Sequence, residues 1–125
     1  MSREFGYDSS YDPPAPVATV RISVPRSDDA VIASGLLDTG ADWSLIPLQL
    51  AQDLDLPRIG ELDITGVGGG GGTAPLYAAR VQVAGLDMVA RLVAYENDVI
   101  IGRDILNRLV TLLDGPGQRL RVNAS

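Results

Sequence analysis

The sequence predicts a mainly β domain with two short helices, and three observations support this fold class. Short apolar runs alternate with polar residues at period two, which is typical of strands that bury one face. Turn residues, above all Gly, Pro, Asp and Asn, separate these runs at short intervals. The chain has 125 residues, the length of one domain, and its apolar fraction of 46% is sufficient for a core.

The first segment, residues 1–16, mixes Ser, Asp, Tyr and Gly and ends in a proline-rich stretch. This composition predicts a flexible N-terminal arm before a folded domain over residues 17–125, and a removable pro-segment stays an open alternative for the arm. The alternating, β-branched run at residues 17–24 predicts a half-buried strand. Residues 30–37 predict a second strand that returns after a turn.

The middle of the chain contains a polar loop, a helix and a glycine-rich segment. The loop Asp38–Asp42 follows the second strand directly, and a short helix is predicted from about Pro47 to before Pro57. Residues 61–64 lead into the segment Gly66–Gly72, and strand character resumes over residues 76–83. Because this segment lies between two strands, we expect it to be a mobile hairpin tip.

The last third of the chain predicts two hairpins around a short strand and a helix. Residues 81–93 form the first hairpin, with its turn near Gly85. The apolar run at residues 99–102 predicts a short strand, and residues 103–109 a helix of about two turns. Residues 110–122 close the chain as a second hairpin.

The sequence contains no His, no Cys and no Lys, which excludes several kinds of catalytic chemistry. A Ser-His-Asp triad, a thiol nucleophile and a Cys/His zinc site are all impossible. A Schiff-base lysine and the phosphate-binding lysine of a P-loop are impossible as well. We therefore expect no cofactor and no metal, and chemistry that depends on carboxylates, hydroxyls and Arg.

The charge balance indicates which partners to expect. The formal net charge is -6, and a negative surface does not attract nucleic acid or an anionic membrane, so neither is an expected partner. No apolar run approaches the roughly 20 residues that span a bilayer, and the N-terminal residues lack the apolar stretch of a secretory signal. The absence of Cys fits a reducing compartment. The expected location is the cytoplasm.

Two motifs have both a functional and a structural interpretation. Asp38-Thr39-Gly40 is a possible catalytic loop, although Asp and Gly are also common in ordinary turns. The stretch Gly66–Gly71 fits the G-x-G-x-x-G pattern of dinucleotide-binding loops. That interpretation is weak because no helix is predicted after the stretch to bind a pyrophosphate. A flap between two strands, or a disordered linker, suits the stretch better.

The chain resembles the retropepsin family, the single-domain aspartic proteases related to retroviral proteases, in its cellular and bacterial form. The resemblance rests on three ordered motifs: the loop Asp38–Asp42, the glycine-rich segment, and the apolar-Gly-Arg-Asp run Val99–Asp104. It covers residues 17–122. It implies a closed β-barrel with one or two short helices, and a subunit that works only as a homodimer.

The resemblance also implies a role for each motif residue. Asp38, Thr39 and Gly40 would be catalytic, and Arg103 with Asp104 would support the site. The residues implied in binding substrate are Ala41, Asp42, Gly66, Val67, Gly68 and Gly69. Trp43 stands where retroviral enzymes carry a small or polar residue, so the pocket, the subunit edge and the core all remain possible places for it.

Peptide hydrolysis by carboxyl groups needs two of them sharing one proton, one to activate water and one to protonate the carbonyl oxygen. The chain has only one Asp-Thr-Gly loop, so the second carboxyl must come from a second copy. The predicted function is therefore an aspartic endopeptidase acting on peptides or proteins, and apolar side chains are the expected preference beside the cut. The alternative is a catalytically weak or inactive peptide-binding dimer of the same fold.

Overall fold

The computed structural model describes residues 2–64, 72–95 and 97–124. These ranges contain ten strands and two short helices, which confirms the mainly β class. The strands are β1 (Arg3–Gly6), β2 (Val17–Ser23), β3 (Ala30–Leu37), β4 (Leu45–Ile46), β5 (Arg58–Asp63), β6 (Thr73–Val83), β7 (Leu86–Ala94), β8 (Val99–Ile101), β9 (Leu109–Asp114) and β10 (Arg119–Ala124). The helices are α1 (Leu48–Asp53) and α2 (Arg103–Leu106).

Six strands close into a barrel in the order β2-β3-β8-β4-β7-β6, because β6 also pairs with β2. Strand β5 pairs with residues 73–77 of β6, ahead of the β6 residues that pair with β2. Alternate residues of β2 and β6 face the interior, and Val20, Ile22, Ala79 and Val81 are almost fully buried there. The predicted closed barrel is therefore confirmed.

The pairing of β3 with β8 positions the functional loops. These two strands run parallel, with Gly35 opposite Val99 and Leu37 opposite Ile101. Parallel neighbours end at the same edge of a sheet, so the loop after β3 and the helix after β8 lie side by side. A Cβ atom at Gly35 would lie 2.8 Å from the Ile101 side chain, which explains the small residue at this contact.

A second sheet of three strands, in the order β1-β10-β9, packs against the barrel. Leu120 and Val122 of β10 are buried, and Phe5 packs against the same core. Part of the predicted N-terminal arm thus differs from expectation, because Arg3–Gly6 forms a strand paired with β10. The edge of β10 offers backbone hydrogen-bond partners that the composition of residues 1–16 does not indicate.

Two further local differences concern short elements. Helix α2 has four residues instead of about two turns, because the chain turns at Asn107 and enters β9 at Leu109. The two-residue strand β4 has no sequence signal of its own. The hairpin turn near Gly85 is confirmed, since Ala84 and Gly85 both have positive φ, 49° and 88°, as a two-residue hairpin loop requires.

Most of the glycine-rich segment, residues 65–71, lies outside the described residues. Its predicted tip therefore stays a prediction. Where the structure describes the chain, no helix has the length and apolar character needed to cross a membrane.

Candidate active site

The loop after β3 holds Asp38 in a tight turn. The Asp38 N–H donates to the Ile101 carbonyl of the parallel strand β8 at 3.0 Å, and the Asp38 carbonyl accepts from the Ala41 N–H at 3.2 Å. One carboxylate oxygen, Oδ1, accepts from the Gly40 N–H at 2.9 Å. The side chain is half-buried. The backbone thus fixes the Asp38 carboxylate at the edge of the barrel.

Gly40 is needed close to this carboxylate. A Cβ atom at Gly40 would lie 3.1 Å from Asp38 Oδ1, tighter than an ordinary contact. A side chain there would push the carboxylate from its place. Thr39, which lies between Asp38 and Gly40 in the sequence, is exposed.

Arg103, the first residue of α2, joins two points of the Asp38 loop. Its Nη1 donates to the Thr39 carbonyl at 2.6 Å, and its Nη2 forms an ion pair with the Asp42 carboxylate. The Arg103 N–H also donates to the Ala41 carbonyl at 2.9 Å. Because the Asp42 side chain is 72% exposed, this ion pair adds little to the free energy of folding. Its main consequence is geometric, since the planar guanidinium fork fixes the loop against the helix.

A buried serine connects the two motifs on the inner side. The Ser44 hydroxyl donates to Asp104 Oδ1 at 2.7 Å and accepts from the Gly102 N–H at 3.0 Å. Asp104 Oδ1 also accepts from the Ile105 N–H at 3.0 Å, which ties the first turn of α2. A Cβ atom at Gly102 would lie 2.6 Å from the Trp43 carbonyl group. The two motifs therefore meet at backbone contact distance.

A cavity of about 350 Å³ adjoins the loop on the side of Asp42. Its apolar lining consists of Trp43, Leu45, Val93, the residues Leu62 and Ile64 at the end of β5, and the exposed Tyr95. Asp42 and Asp63 supply its acidic groups. The structure therefore places Trp43 in a cavity wall, one of the positions the sequence left open.

The stem of the glycine-rich hairpin lines this cavity through Leu62, Asp63 and Ile64. Strands β5 and β6 pair up to Asp63 opposite Thr73, and the Ile64 N–H donates to the Gly72 carbonyl at 3.0 Å. The flap residues predicted to bind substrate, Gly66, Val67, Gly68 and Gly69, lie outside the described residues.

The sequence identified the loop Asp38–Asp42 and the pair Arg103–Asp104, and the structure brings these two segments together. Sequence reasoning did not identify Ser44 or the cavity-lining residues Leu62, Ile64 and Tyr95. A single polar residue inside the run Trp43–Leu48 was the available signal for Ser44. In the described parts of the chain, no three acidic side chains converge as metal ligands.

Comparison with solved structures shows the same fold in three proteases or protease-like domains. A retropepsin-like aspartic protease from Rickettsia conorii aligns with a TM-score of 0.64 and 17% identity over 99% of this chain and 92% of that chain. The protease of simian foamy virus gives a TM-score of 0.56 and 15% identity over 74% of this chain and 92% of that one. The retroviral protease-like domain of Ddi1 from Leishmania major gives a TM-score of 0.50 and 19% identity over 87% of this chain and 94% of that one.

Comparison with curated protein sequences gives no match. The family model described as retroviral aspartyl protease matches residues 13–114, which include both the Asp38 loop and helix α2. The match spans most of the chain, and it agrees with the closed barrel and with the motif order. The chain therefore belongs to the retroviral aspartyl protease family.

Proposed function

We propose that the chain is one subunit of a homodimeric aspartic endopeptidase, in which Asp38 of each subunit supplies half of a catalytic dyad. One observation carries this proposal: the turn presents a half-buried Asp38 with one oxygen fixed by the Gly40 N–H. Within the described residues, the other oxygen accepts no hydrogen bond. A second Asp38 could share a proton with that oxygen, as two close carboxyl groups do when only one can ionise.

In the proposed reaction, the ionised Asp38 takes a proton from a water molecule, whose oxygen forms a bond to the carbonyl carbon of the substrate. The protonated Asp38 of the partner subunit gives its proton to the carbonyl oxygen. In the second step the Asp38 that is now protonated gives its proton to the leaving nitrogen, the carbon–nitrogen bond breaks, and the Asp38 that is now ionised takes a proton from one hydroxyl of the diol. Each carboxyl group acts once as acid and once as base.

The substrate class follows from the cavity beside the loop. Trp43, Leu62 and Ile64 line this cavity together with Asp42, so it offers an apolar side chain mainly apolar contacts. A peptide lying between the floor at Ala41 and the stem of β5 and β6 would make backbone hydrogen bonds as an added strand does. In this proposal Gly66, Val67, Gly68 and Gly69 cover the peptide and exclude water.

The test is cleavage of a diverse peptide mixture between pH 3 and pH 8, with the cut sites identified by mass spectrometry. We expect cleavage mainly in acid, beside apolar residues, because the dyad must keep one of its two protons. Asp38→Asn should reduce the rate by at least about 10²-fold, since it removes an acid–base group. Asp53→Asn, which changes an exposed carboxylate of α1, is the matched control.

Equal cleavage by wild type and Asp38→Asn would contradict the proposed dyad. Cleavage confined to bonds beside charged residues would contradict the proposed subsite. If the folded dimer binds peptides but does not cleave them at any pH, the alternative of a peptide-binding dimer replaces the enzyme.

A further inference from the structure

A groove of about 730 Å³, here called the β1 groove, lies between β1 and the barrel. Three segments line it: Ser2–Phe5, Thr19 with Arg21 of β2, and the turn Gln82–Asp87 between β6 and β7. Leu86 belongs to this lining, whereas Val93 lines the cavity beside Asp42. These two residues of β7 are about 23 Å apart along the strand, so the β1 groove is separate from the candidate active site.

The side of β1 that faces away from β10 has free backbone groups. The Tyr7 N–H donates to the Gln118 carbonyl at 2.9 Å, in register with the pairing of β1 and β10. Alternate residues of an antiparallel strand bond to the same neighbour, so Phe5 and Arg3 bond to β10 and the backbone N–H and carbonyl of Glu4 face the other way. Among the strands described, β1 pairs with β10 alone. The Glu4 backbone is therefore available to another strand.

This free edge borders the β1 groove. Successive side chains of a strand lie on opposite faces, yet the four consecutive residues Ser2–Phe5 all line the groove. Such lining is typical of a backbone edge and not of one side-chain face. The edge is about 13 Å long, which is the length of a four-residue strand. An extended peptide can therefore bind there by backbone hydrogen bonds, as an added strand does.

Two arginines of the β1 groove have no carboxylate partner. Arg3 and Arg21 take part in no ion pair within the described ranges. The guanidinium of Arg21 donates to Gln82 Oε1 at 2.7 Å and to the Asp28 carbonyl at 3.1 Å. Both acceptors are uncharged, so they hold the side chain in place and leave its positive charge uncompensated.

The acidic side chains of the groove are already paired. Glu4 forms an ion pair with Arg119, and Asp87 forms one with Arg80. Each pair is neutral as a whole, so the two unpaired arginines give the β1 groove a positive excess. Because the chain has a net charge of -6, this excess is a local exception, and it favours an acidic ligand.

We propose that the β1 groove binds an extended acidic peptide segment of another protein. The segment pairs with the free edge of β1, and its carboxylate groups lie beside Arg3 and Arg21. Since side chains alternate along a strand, acidic residues at every second position face the groove. This docking site does not depend on the proposed function, because it lies at the other end of β7 from the cavity beside Asp42.

Fluorescence anisotropy with a labelled octapeptide of alternating Glu and Val tests the proposed ligand class at neutral pH and low salt. The protein is the full chain carrying Asp38→Asn, so that the proposed enzyme does not cut the probe. We expect saturable binding, and at least roughly tenfold weaker binding of the counterpart with alternating Lys and Val. Equal binding of both peptides, or no saturable binding at millimolar protein, would overturn the proposal.

Two substitutions of one residue test the strand pairing. Glu4→Pro removes the N–H that faces the groove and keeps the pairing with β10, which does not use that N–H. The Kd of the acidic probe should rise roughly tenfold. Glu4→Ala removes the same ion pair with Arg119 but keeps the N–H, so its Kd should stay within about twofold. The same loss of affinity in both variants would contradict pairing with this edge.

The charge contribution is tested by Arg3→Ala, for which we expect the Kd to rise roughly fivefold. Arg91→Ala is the matched control, because Arg91 is an exposed arginine of β7 that does not line the groove. Trp43→Ala should also leave the Kd unchanged. If Trp43→Ala weakens binding and Arg3→Ala does not, the probe occupies the cavity beside Asp42 and the proposed docking site is wrong.

Amide hydrogen exchange followed by NMR locates the bound probe without any substitution in β1. In the free chain the Glu4 amide should exchange quickly and the Phe5 amide slowly, because only the second donates to β10. Saturation with the acidic probe should slow exchange at Glu4 severalfold and leave Phe5 protected as before. Unchanged exchange at Glu4 under saturation would show that the peptide does not pair with β1.

Discussion

At the scale of single residues, the site depends on a close backbone approach at Gly102. Its missing side chain lets β8 lie against the Trp43 carbonyl, and its N–H donates to the buried Ser44 hydroxyl. We expect Gly102→Ala to lower the free energy of unfolding by about 1–3 kcal/mol, because a methyl group at 2.6 Å from a carbonyl forces the backbone to shift. Urea denaturation measures this change.

Gly6→Ala is the matched control, since a Cβ atom there would meet nothing within 4 Å. Its free energy of unfolding should stay close to that of the wild type. If the two variants lose the same stability, the close contact at Gly102 has no energetic importance.

Trp43 permits a prediction about specificity. Replacing it with Ala removes the largest side chain that lines the cavity beside Asp42. For peptides with an apolar side chain in this subsite, we expect KM to rise by roughly tenfold with kcat little changed, because the lost contact is with bound substrate and not with the reacting bond. Leu48→Ala removes an exposed leucine of α1 and serves as the control. An unchanged KM in Trp43→Ala would place the substrate elsewhere.

The sequence predicted candidate site residues where they form contiguous motifs, and the structure brings two of these motifs into contact. Asp38–Asp42 and Arg103–Asp104 are recognisable because they occur in the order of one family's motifs. Ser44 was not predictable, since its importance comes from bonds to Gly102 and Asp104, nearly sixty residues away. A serine in an apolar run has the same sequence signal whether it is buried at a junction or exposed.

At the scale of elements, the hairpin of β6 and β7 carries an ion pair with a pH-dependent contribution. Arg80 binds both carboxylate oxygens of Asp87, at 2.9 and 2.6 Å. This hydrogen bonding lowers the pKa of Asp87 below its ordinary value of 3.8. A carboxylate with a lowered folded-state pKa stabilises the fold above its unfolded-state pKa, and the contribution disappears as the pH falls through the folded value.

We therefore expect Asp87→Asn to lower Tm at pH 7 and to leave it unchanged in strong acid, where wild-type Asp87 is protonated. Thermal unfolding followed by circular dichroism across this pH range measures the difference. In the background of Arg80→Gln, the same substitution should have a much smaller pH dependence, because Arg21 alone then lowers the pKa of Asp87. A constant difference at every pH would contradict a role for the ionised pair.

The elements predicted correctly were those with a strong local pattern. Strand β2 shows a period of two, β3 is an apolar run that returns after a turn, and the turn at Gly85 has the residue type that positive φ requires. Strand β1 was missed because its formation depends on the free edge of β10, which lies more than a hundred positions away in the chain. Strand β4 has two residues and forms only because β7 and β8 flank it. The local residue pattern carries no information about which strands become neighbours in the folded chain.

At the scale of the whole molecule, the topology fits the proposal that each chain supplies one catalytic loop and therefore half a site. The parallel pairing of β3 and β8 brings Asp38 and Arg103 to one edge of the barrel. A cavity lined by Asp42, Trp43 and Leu62 adjoins this edge, and in the proposed enzyme it takes a substrate side chain. In the same proposal a second copy of the chain supplies the second Asp38 and completes the dyad.

The most direct test of this dimeric dyad is peptide cleavage by mixed dimers. Wild-type and Asp38→Asn chains are mixed in equal amounts under denaturing conditions, refolded together, and assayed at fixed total protein in acid. If both Asp38 residues of a dimer are required, random pairing leaves about one quarter of the wild-type activity. If each subunit acts alone, about one half remains, and that result would contradict the shared dyad.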